Sequence, residues 1–269
     1  MNFPELIQAC RRYLDAPSQY TLTIPKSWTQ GRTIYGGVAS ALLVYAIKRQ
    51  VNPILTIKNV NTNFVGPMLS DTPIEITLRE LRTGKNVSQW TAMASQNGQL
   101  CTFVQACFVC DRKSKIEVDN RPPLTMAKPN KKSFIPPIPK VTPKFLKHFE
   151  MSIQEGGIPF TGKKTDFYRG WFRFKNTTGV LDDVALIGLL DALPPTVLQM
   201  MKWPAPASTI NWNIEFIHPL PALTMADWIA FDDQTVHAAN GYCSTEANIW
   251  TANGQLIALS RQTIAVFDK

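Results

Sequence analysis

The alternation of apolar and polar residues divides the first half of the chain into one helix followed by four strands. Apolar residues recur at the spacing of one buried helical face from Val38 to Ala46, so the pattern predicts a helix over about residues 37–48. The four runs rich in β-forming residues that follow it are 56–65, 74–81, 87–95 and 100–109. Gly84 and Asn97-Gly98 supply turns between the last three runs. An antiparallel meander is therefore predicted.

The second half repeats this order. Residues 167–174 alternate as a strand does, and residues 184–193 are apolar almost all round, which is typical of a buried helix. Asp182 and Asp183 suit its N-terminal turn. The further strand patterns are 209–216, 228–231, 241–250 and 256–266. Helix followed by strands thus occurs twice.

Two short blocks also recur in the same order. Phe64-Val65-Gly66-Pro67 precedes Asn97-Gly98-Gln99-Leu100, and Phe216-Ile217-His218-Pro219 precedes Asn253-Gly254-Gln255-Leu256, with offsets of 152 and 156 residues between the copies. Their collinear order indicates a fold duplicated in tandem. The fold class is therefore predicted as α+β, with two lobes that each wrap a curved antiparallel sheet around a buried helix. We expect the two sheets to join edge to edge, because pairing removes exposed edge strands.

Composition sets limits on the class of protein. A hydrophobic content of 45% with 18% charged residues excludes a disordered chain, and the apolar stretches are too short to span a membrane. The N-terminus lacks the pattern of a signal peptide, so a cytoplasmic location is expected. The five cysteines are odd in number and suggest reduced thiols.

The net charge of +8 is concentrated in one segment. Residues 111–150 hold ten Lys/Arg against four acids, a net +6, and seven of the 20 prolines. This composition is typical of an extended, solvated connector, although its charge could also attract a phosphorylated ligand such as coenzyme A. The predicted division is a first lobe at 1–112, a Pro/Lys-rich linker at 113–150 and a second lobe at 151–269. Outside the linker the charge is nearly balanced, which argues against a nucleic-acid partner.

Several known motifs are approached but not completed. Cys107 and Cys110 have the C-x-x-C spacing but lie at a strand end without a second ligand pair. Residues 157–164 approach a phosphate-binding P-loop, but Lys164 replaces the required Ser/Thr and a strand pattern follows. The chain has no G-x-S-x-G elbow, and its three histidines are too dispersed for a zinc cluster. No metal or organic cofactor is expected.

Three further segments carry a family resemblance. The segment 33–42, with Gly36-Gly37, resembles the opening of the first helix in acyl-CoA thioesterases of the TesB-like, double-hotdog type. Asp191, the segment 208–212 and the segment 257–262 are similar to that family's second-half site segments. The resemblance covers nearly the whole chain except the connector. It implies a tandem double hotdog, a fold in which each long helix is wrapped by a curved sheet.

Asp191 is the strongest candidate for chemistry. It interrupts an apolar run, where a charge is costly unless it has partners. Such a carboxylate could orient and deprotonate a water, or it could be an acid at a helix end held by a local hydrogen bond. By resemblance it takes the place of the family's catalytic acid, with Thr209 and Gln262 as companions that help to hold the water.

The start of the first helix offers a second contribution. Gly36, Gly37 and Val38 present backbone N–H groups that could stabilise an oxyanion, although a Gly-Gly pair also serves as a simple turn. Tyr45 is the approximate counterpart of Asp191 in the first helix. The sequence therefore predicts one composite site, with its acid from the second lobe and its amides from the first.

The predicted function is hydrolysis of acyl-CoA to a free acid and coenzyme A. The alternative is a non-catalytic acyl-CoA or lipid-binding protein on the same fold. The expected partner is the acyl-CoA substrate, with no membrane span and with a homo-oligomer, such as a dimer of double hotdogs, as a further possibility.

Overall fold

The structure, a computed structural model, describes residues 1–118, 123–129 and 142–267. Within these residues the α-helices are α1 (Phe3–Asp15), α2 (Gly36–Lys48) and α3 (Asp183–Leu190). The strands of the first lobe are β1 (Thr29–Gln30), β2 (Thr33–Ile34), β3 (Thr56–Phe64), β4 (Glu75–Thr83), β5 (Val87–Gln96) and β6 (Gln99–Val109). Those of the second lobe are β7 (Phe149–Glu155), β8 (Phe167–Phe174), β9 (Ala207–Phe216), β10 (Ile229–Ala239), β11 (Tyr242–Thr251) and β12 (Leu256–Val266). Short 3-10 helices cover Lys26–Trp28, Lys144–His148 and Thr196–Gln199.

Ten of these strands form one antiparallel sheet in the order β4-β5-β6-β3-β9-β12-β11-β10-β8-β7. The two lobes meet at β3 and β9, where Asn61 pairs with Asn213 and Asn63 with Asn211. Side-chain amides reinforce this junction, because Asn213 Nδ2 donates to Asn61 Oδ1 at 2.7 Å and Asn211 Nδ2 to Asn63 Oδ1 at 3.1 Å. The predicted tandem fold and the edge-to-edge joining of its sheets are confirmed.

The helices α2 and α3 lie together on the concave side of the sheet and run in opposite directions. The start of α2 meets the end of α3 through Gly37 and Asp191, while at the other end Lys48 forms an ion pair with Asp183. Both helices are almost wholly buried, as their apolar composition requires. The packed helix pair thus brings residues from both lobes to each of its ends.

The second central helix is shorter than the sequence pattern indicated. It ends at Leu190, and the chain tightens into a turn in which the Ala192 amide donates to the Leu189 carbonyl at 3.0 Å. Pro194 and Pro195 follow this turn and prevent the helix from resuming. Asp191 is therefore the C-cap residue of α3 rather than an interior residue.

Helix α1 was not predicted. A capping box starts it, in which the Glu5 amide donates to Asn2 Oδ1 at 3.0 Å and the Asn2 amide to Glu5 Oε2 at 2.8 Å. Its Phe3 ring packs so closely on Gly188 of α3 that any side chain at that position would collide with it. The N-terminal helix is thereby fixed against the central helix of the second lobe.

The connector is only partly as predicted. Leu124 and Met126 pack against an apolar cluster on the convex face of the second lobe that includes the fully buried Trp171, and Gln154 Nε2 donates to the Ala127 carbonyl at 2.7 Å. This part is a strap on the second lobe, because its apolar side chains cover what would otherwise be exposed tryptophans. The basic residues Arg121, Lys131, Lys132 and Lys140 of the predicted linker lie outside the described residues.

Cysteines, metal-ligating groups and long apolar helices can be assessed within the described residues. Their five cysteines are all free. No group of three or more metal-ligating side chains occurs among residues 1–118, 123–129 and 142–267. None of the helices in these ranges is long and apolar enough to cross a membrane.

Candidate active site

Asp191 joins the two lobes at one end of the helix pair. Its Oδ2 accepts a hydrogen bond of 2.8 Å from the backbone N–H of Gly37, a residue 154 positions earlier in the chain. The first turn of a helix leaves its N–H groups without intrahelical acceptors, and the helix dipole favours a negative charge there. The partly buried carboxylate is therefore held at the positive end of α2.

Gln262 and Thr209 extend this contact. Gln262 Nε2 donates to Asp191 Oδ1 in a long hydrogen bond of 3.4 Å, and Thr209 Oγ1 donates to Gln262 Oε1 at 2.7 Å. A continuous chain of polar groups thus runs from Thr209 through Gln262 and Asp191 to the Gly37 amide. The structure brings together the three side chains that the sequence predicted as catalytic.

A bulge in β9 makes this arrangement possible. Gln262 pairs with Trp212 across the β9–β12 ladder, but Ile264 pairs with Thr209, so Ile210 is left without an opposite residue. An extra residue in one strand reverses the face to which the following side chains point. The bulge at Ile210 therefore turns Thr209 to the side of the sheet on which Gln262 lies.

Both glycines at the start of α2 are required by close packing. A Cβ at Gly36 would lie 2.7 Å from the Phe64 ring and 2.9 Å from Asp191 Oδ2. A Cβ at Gly37 would lie 2.6 Å from the Tyr35 hydroxyl. Val38, the next residue, has a fully buried side chain and an amide in the first turn of the helix. Gly36 thus allows the carboxylate, and Gly37 allows the Tyr35 ring, to approach the backbone directly.

Tyr35 is a residue that sequence analysis missed. It is fully buried, and its hydroxyl donates to the Gly188 carbonyl of α3 at 3.0 Å. Burial, followed by the negative charge of Asp191, holds the pKa of Tyr35 well above its usual value. Tyr35 therefore stays protonated and ties the start of α2 to α3, one turn before Asp191. Its position directly before Gly36-Gly37 was the only signal in the sequence.

The Asp191 carboxyl has an unusual affinity for protons. Burial raises its pKa from 3.8 to about 7, although the hydrogen bonds from Gly37 and Gln262 act in the opposite direction. A carboxylate with a pKa near neutrality can both accept and return a proton at physiological pH. The arrangement suits proton transfer better than a permanent charge.

Among the described residues, the opposite end of the helix pair has a different set of contacts. Lys48 forms an ion pair with Asp183 and lies 3.9 Å from Asp182. When the two helices are aligned by sequence, the residue of α2 that corresponds to Asp191 is Tyr45. Gln105 bonds Gln89 at 3.5 Å and pairs with Asn61 on the convex face, so it points away from the helices. Within the part of the chain that the structure describes, the duplicated fold therefore carries the polar chain in one copy only.

A second buried acid lies outside this chain of contacts. Asp233 on β10 is 6% exposed, and among the described residues neither its Oδ1 nor the hydroxyl of the buried Tyr168 opposite it on β8 has a hydrogen-bond partner. Burial, followed by the charge of Asp232, raises the pKa of Asp233 well above its usual value. Sequence analysis missed this acid because its neighbours read as an ordinary strand.

Comparisons with known proteins are consistent along the chain. Residues 24–109 match the family model described as the acyl-CoA thioesterase N-terminal domain, and residues 119–266 match that of the acyl-CoA thioesterase C-terminal domain. A sequence search of curated proteins found no significant match.

Solved structures show the same fold. A conserved protein of unknown function with a hot dog fold from Alicyclobacillus acidocaldarius is 18% identical over 92% of both chains, with a TM-score of 0.79. The acyl-CoA thioesterase II TesB2 from Mycobacterium marinum is 16% identical over 88% of this chain and 90% of its own, with a TM-score of 0.70. The tesB protein of Mycobacterium avium subs paratuberculosis is 17% identical over 89% of both chains, with a TM-score of 0.69.

Proposed function

This chain belongs to the acyl-CoA thioesterase family, and from that premise we propose that Asp191, assisted by Gln262 and Thr209, activates a water that hydrolyses the thioester of an acyl-CoA. The observation that supports the proposal is the chain of hydrogen bonds from Thr209 through Gln262 and Asp191 to the Gly37 amide. A carboxylate with free lone pairs beside an amide and a hydroxyl can fix one water in a single direction.

In the first step, water attacks the carbonyl carbon of the thioester while Asp191 takes one of its protons. The C–O bond forms, the C=O π electrons move onto the oxygen, and a tetrahedral oxyanion results. General-base assistance of this kind contributes about 10²- to 10⁴-fold to a rate. The pKa of about 7 leaves much of Asp191 ionised at neutral pH, as a base requires.

In the second step, the intermediate collapses and the C–S bond breaks. The sulfur leaves with the bonding electrons as the coenzyme A thiolate, which accepts the proton held by Asp191. The products are the free acid and coenzyme A, and the Asp191 carboxylate is restored. No other reactant is needed.

The oxyanion is assigned to the first turn of α2. The Gly37 N–H is engaged by Asp191 and holds the base in place. The amides of Gly36 and Val38 are the other N–H groups that the start of this helix leaves without intrahelical acceptors. Together with the helix dipole they are suited to stabilise negative charge on the former carbonyl oxygen.

A panel of acyl-CoA esters incubated with the purified protein and a thiol reagent tests this function. We expect release of free thiol in stoichiometric amount with free acid, with rates that depend on the acyl group. Retention of acyl-CoA without thiol release would instead support the non-catalytic binding protein and contradict the proposal.

A further inference from the structure

Two surface loops meet beside the 3-10 helix that follows Asp191. One loop connects β7 to β8 and the other connects the 3-10 helix to β9. Backbone hydrogen bonds join the first loop to the 3-10 helix and to the start of the second loop: the amides of Phe160, Gly162 and Lys163 donate to the carbonyls of Leu198, Met201 and Gln199 at 2.8, 2.9 and 2.9 Å. The segment 157–164, which resembles an incomplete P-loop, is thus part of a defined surface.

The side chain of Gln199 holds the loop between β7 and β8 in place. This fully buried side chain accepts from the Gly157 amide and from Thr165 Oγ1, both at 2.6 Å, and its Nε2 donates to the Phe167 carbonyl at 3.0 Å. Both ends of the loop are therefore bound to one buried amide. The loop has the fixed backbone that a binding surface needs.

The surface carries three lysines. Lys163, Lys164 and Lys202 are exposed, and the stem of Lys202 lies over Gly162, where a Cβ would be 3.0 Å from the Lys202 Cγ. Among the described residues, no carboxylate forms an ion pair with any of the three. Their positive charges are therefore available to an anionic partner.

Trp203 directly follows Lys202 in the chain and is 81% exposed. By contrast, Trp28, Trp171, Trp212 and Trp250 are each at most 2% exposed. An exposed indole next to lysines offers a flat face for a nucleobase, and such stacking tolerates any base. The combination matches a ligand that has phosphates and an aromatic base.

Short segments of the chain connect this surface to the candidate active site on both sides. Gln199 follows Asp191 by eight residues, and Trp203 precedes Thr209 by six. Six residues span at most about 20 Å even when fully extended. A ligand group at Trp203 therefore lies within reach of a flexible arm that starts at the thioester.

We propose that Lys163, Lys164, Lys202 and Trp203 bind the phosphorylated adenosine end of coenzyme A. The lysines neutralise the pyrophosphate and the 3′-phosphate, and the indole stacks on the adenine. The pantetheine arm runs from this surface to Asp191. This inference rests on the proposed thioesterase function, because that function supplies coenzyme A as the ligand.

Titration calorimetry with coenzyme A tests the surface without any turnover. We expect Trp203→Ala and the double variant Lys163→Ala/Lys164→Ala each to weaken coenzyme A binding about tenfold or more, and the double variant to depend less on salt. Lys85→Ala, an exposed lysine in the turn between β4 and β5, is the matched control and should bind as the wild type does. Adenosine 3′,5′-bisphosphate should lose affinity in the same variants, whereas pantetheine should not. Wild-type affinity for coenzyme A in both variants would overturn the proposal.

Kinetics separate this inference from the proposed function. The variants should raise KM for an acyl-CoA about tenfold and leave kcat/KM unchanged for the same acyl group carried on pantetheine, which lacks the nucleotide. If the variants hydrolyse acyl-CoA with an unchanged KM, the proposed binding surface is refuted, whereas the thioesterase mechanism is not affected. If the wild-type protein hydrolyses neither substrate, the proposed mechanism is refuted. The coenzyme A titration would then still test whether the surface binds coenzyme A.

Discussion

The Asp191 carboxylate accepts a hydrogen bond of 2.8 Å from the Gly37 amide and so links the central helices of the two lobes. Neither lobe contains this pair alone, because Asp191 ends α3 and Gly37 lies in the first turn of α2. The acid and the helix N-terminus can therefore act together only in the joined fold. The contact between Asp191 and Gly37 therefore joins the lobes at the proposed site.

The pH dependence of turnover should follow Asp191. The base must be ionised, and its pKa is raised to about 7, so kcat/KM for acyl-CoA should rise with pH through about 7 and then level off. A pH profile of kcat/KM measures this rising limb directly. A limb near pH 4 would show that the carboxyl is not desolvated as the structure indicates.

Gln262→Ala should lower kcat on acyl-CoA by about tenfold or more, because it removes the link between Thr209 and Asp191. The matched control is Gln105→Ala, since Gln105 lies on the convex face and contacts Gln89 instead. Steady-state kinetics of both variants should show a loss in the first only. Equal losses would indicate an effect on the sheet rather than on the site.

Gly36→Ala should lower both stability and activity. Its new Cβ would lie 2.9 Å from Asp191 Oδ2 and 2.7 Å from the Phe64 ring, and overpacking of this kind costs about 1–3 kcal/mol of unfolding free energy. Urea unfolding and turnover should both report the change. Gly84→Ala is the control, because the nearest atom to its Cβ would be at an ordinary 3.6 Å.

Much of this arrangement follows from local sequence pattern. The spacing of Val38 to Ala46 gave helix α2, and the alternation over residues 167–174 matches β8 at both ends. The turn signals at Asn97-Gly98 and the collinear repeats were sufficient for the duplicated fold. These features depend on contacts close in sequence, which periodicity records directly.

The remainder depends on contacts between distant segments. The sequence around Ile210 contains no signal of the bulge that turns Thr209 toward Gln262, because the shift in register exists only in the pairing of β9 with β12. The capping box of helix α1 is present in the sequence, but the helix is held in place by the packing of Phe3 on Gly188, which the sequence does not show. The domain division at residues 112 and 150 and the homo-oligomer stay predictions.

Asp233→Asn should raise stability, and by more at pH 8 than at pH 5. The raised pKa of this buried acid means that the folded state binds a proton more tightly than the unfolded chain, so stability is lost as pH rises above about 4. The amide removes that cost, and since a pKa difference of one unit corresponds to about 1.4 kcal/mol, it should stabilise the fold by more than about 1 kcal/mol at pH 8. Thermal unfolding at the two pH values checks this. An equal effect at both would mean that Asp233 is not protonated in the folded state.

The central claim is that the Asp191 carboxylate is the general base, and the turnover of Asp191→Asn on acyl-CoA tests it most directly. Asparagine keeps the size of the side chain and can still accept from the Gly37 amide, so the fold should be retained. Asp233→Asn is the matched control, since it makes the same chemical change at a buried acid outside the site. We predict that kcat falls at least about a hundredfold in Asp191→Asn and is unchanged in Asp233→Asn. Wild-type turnover in a folded Asp191→Asn protein would contradict the account.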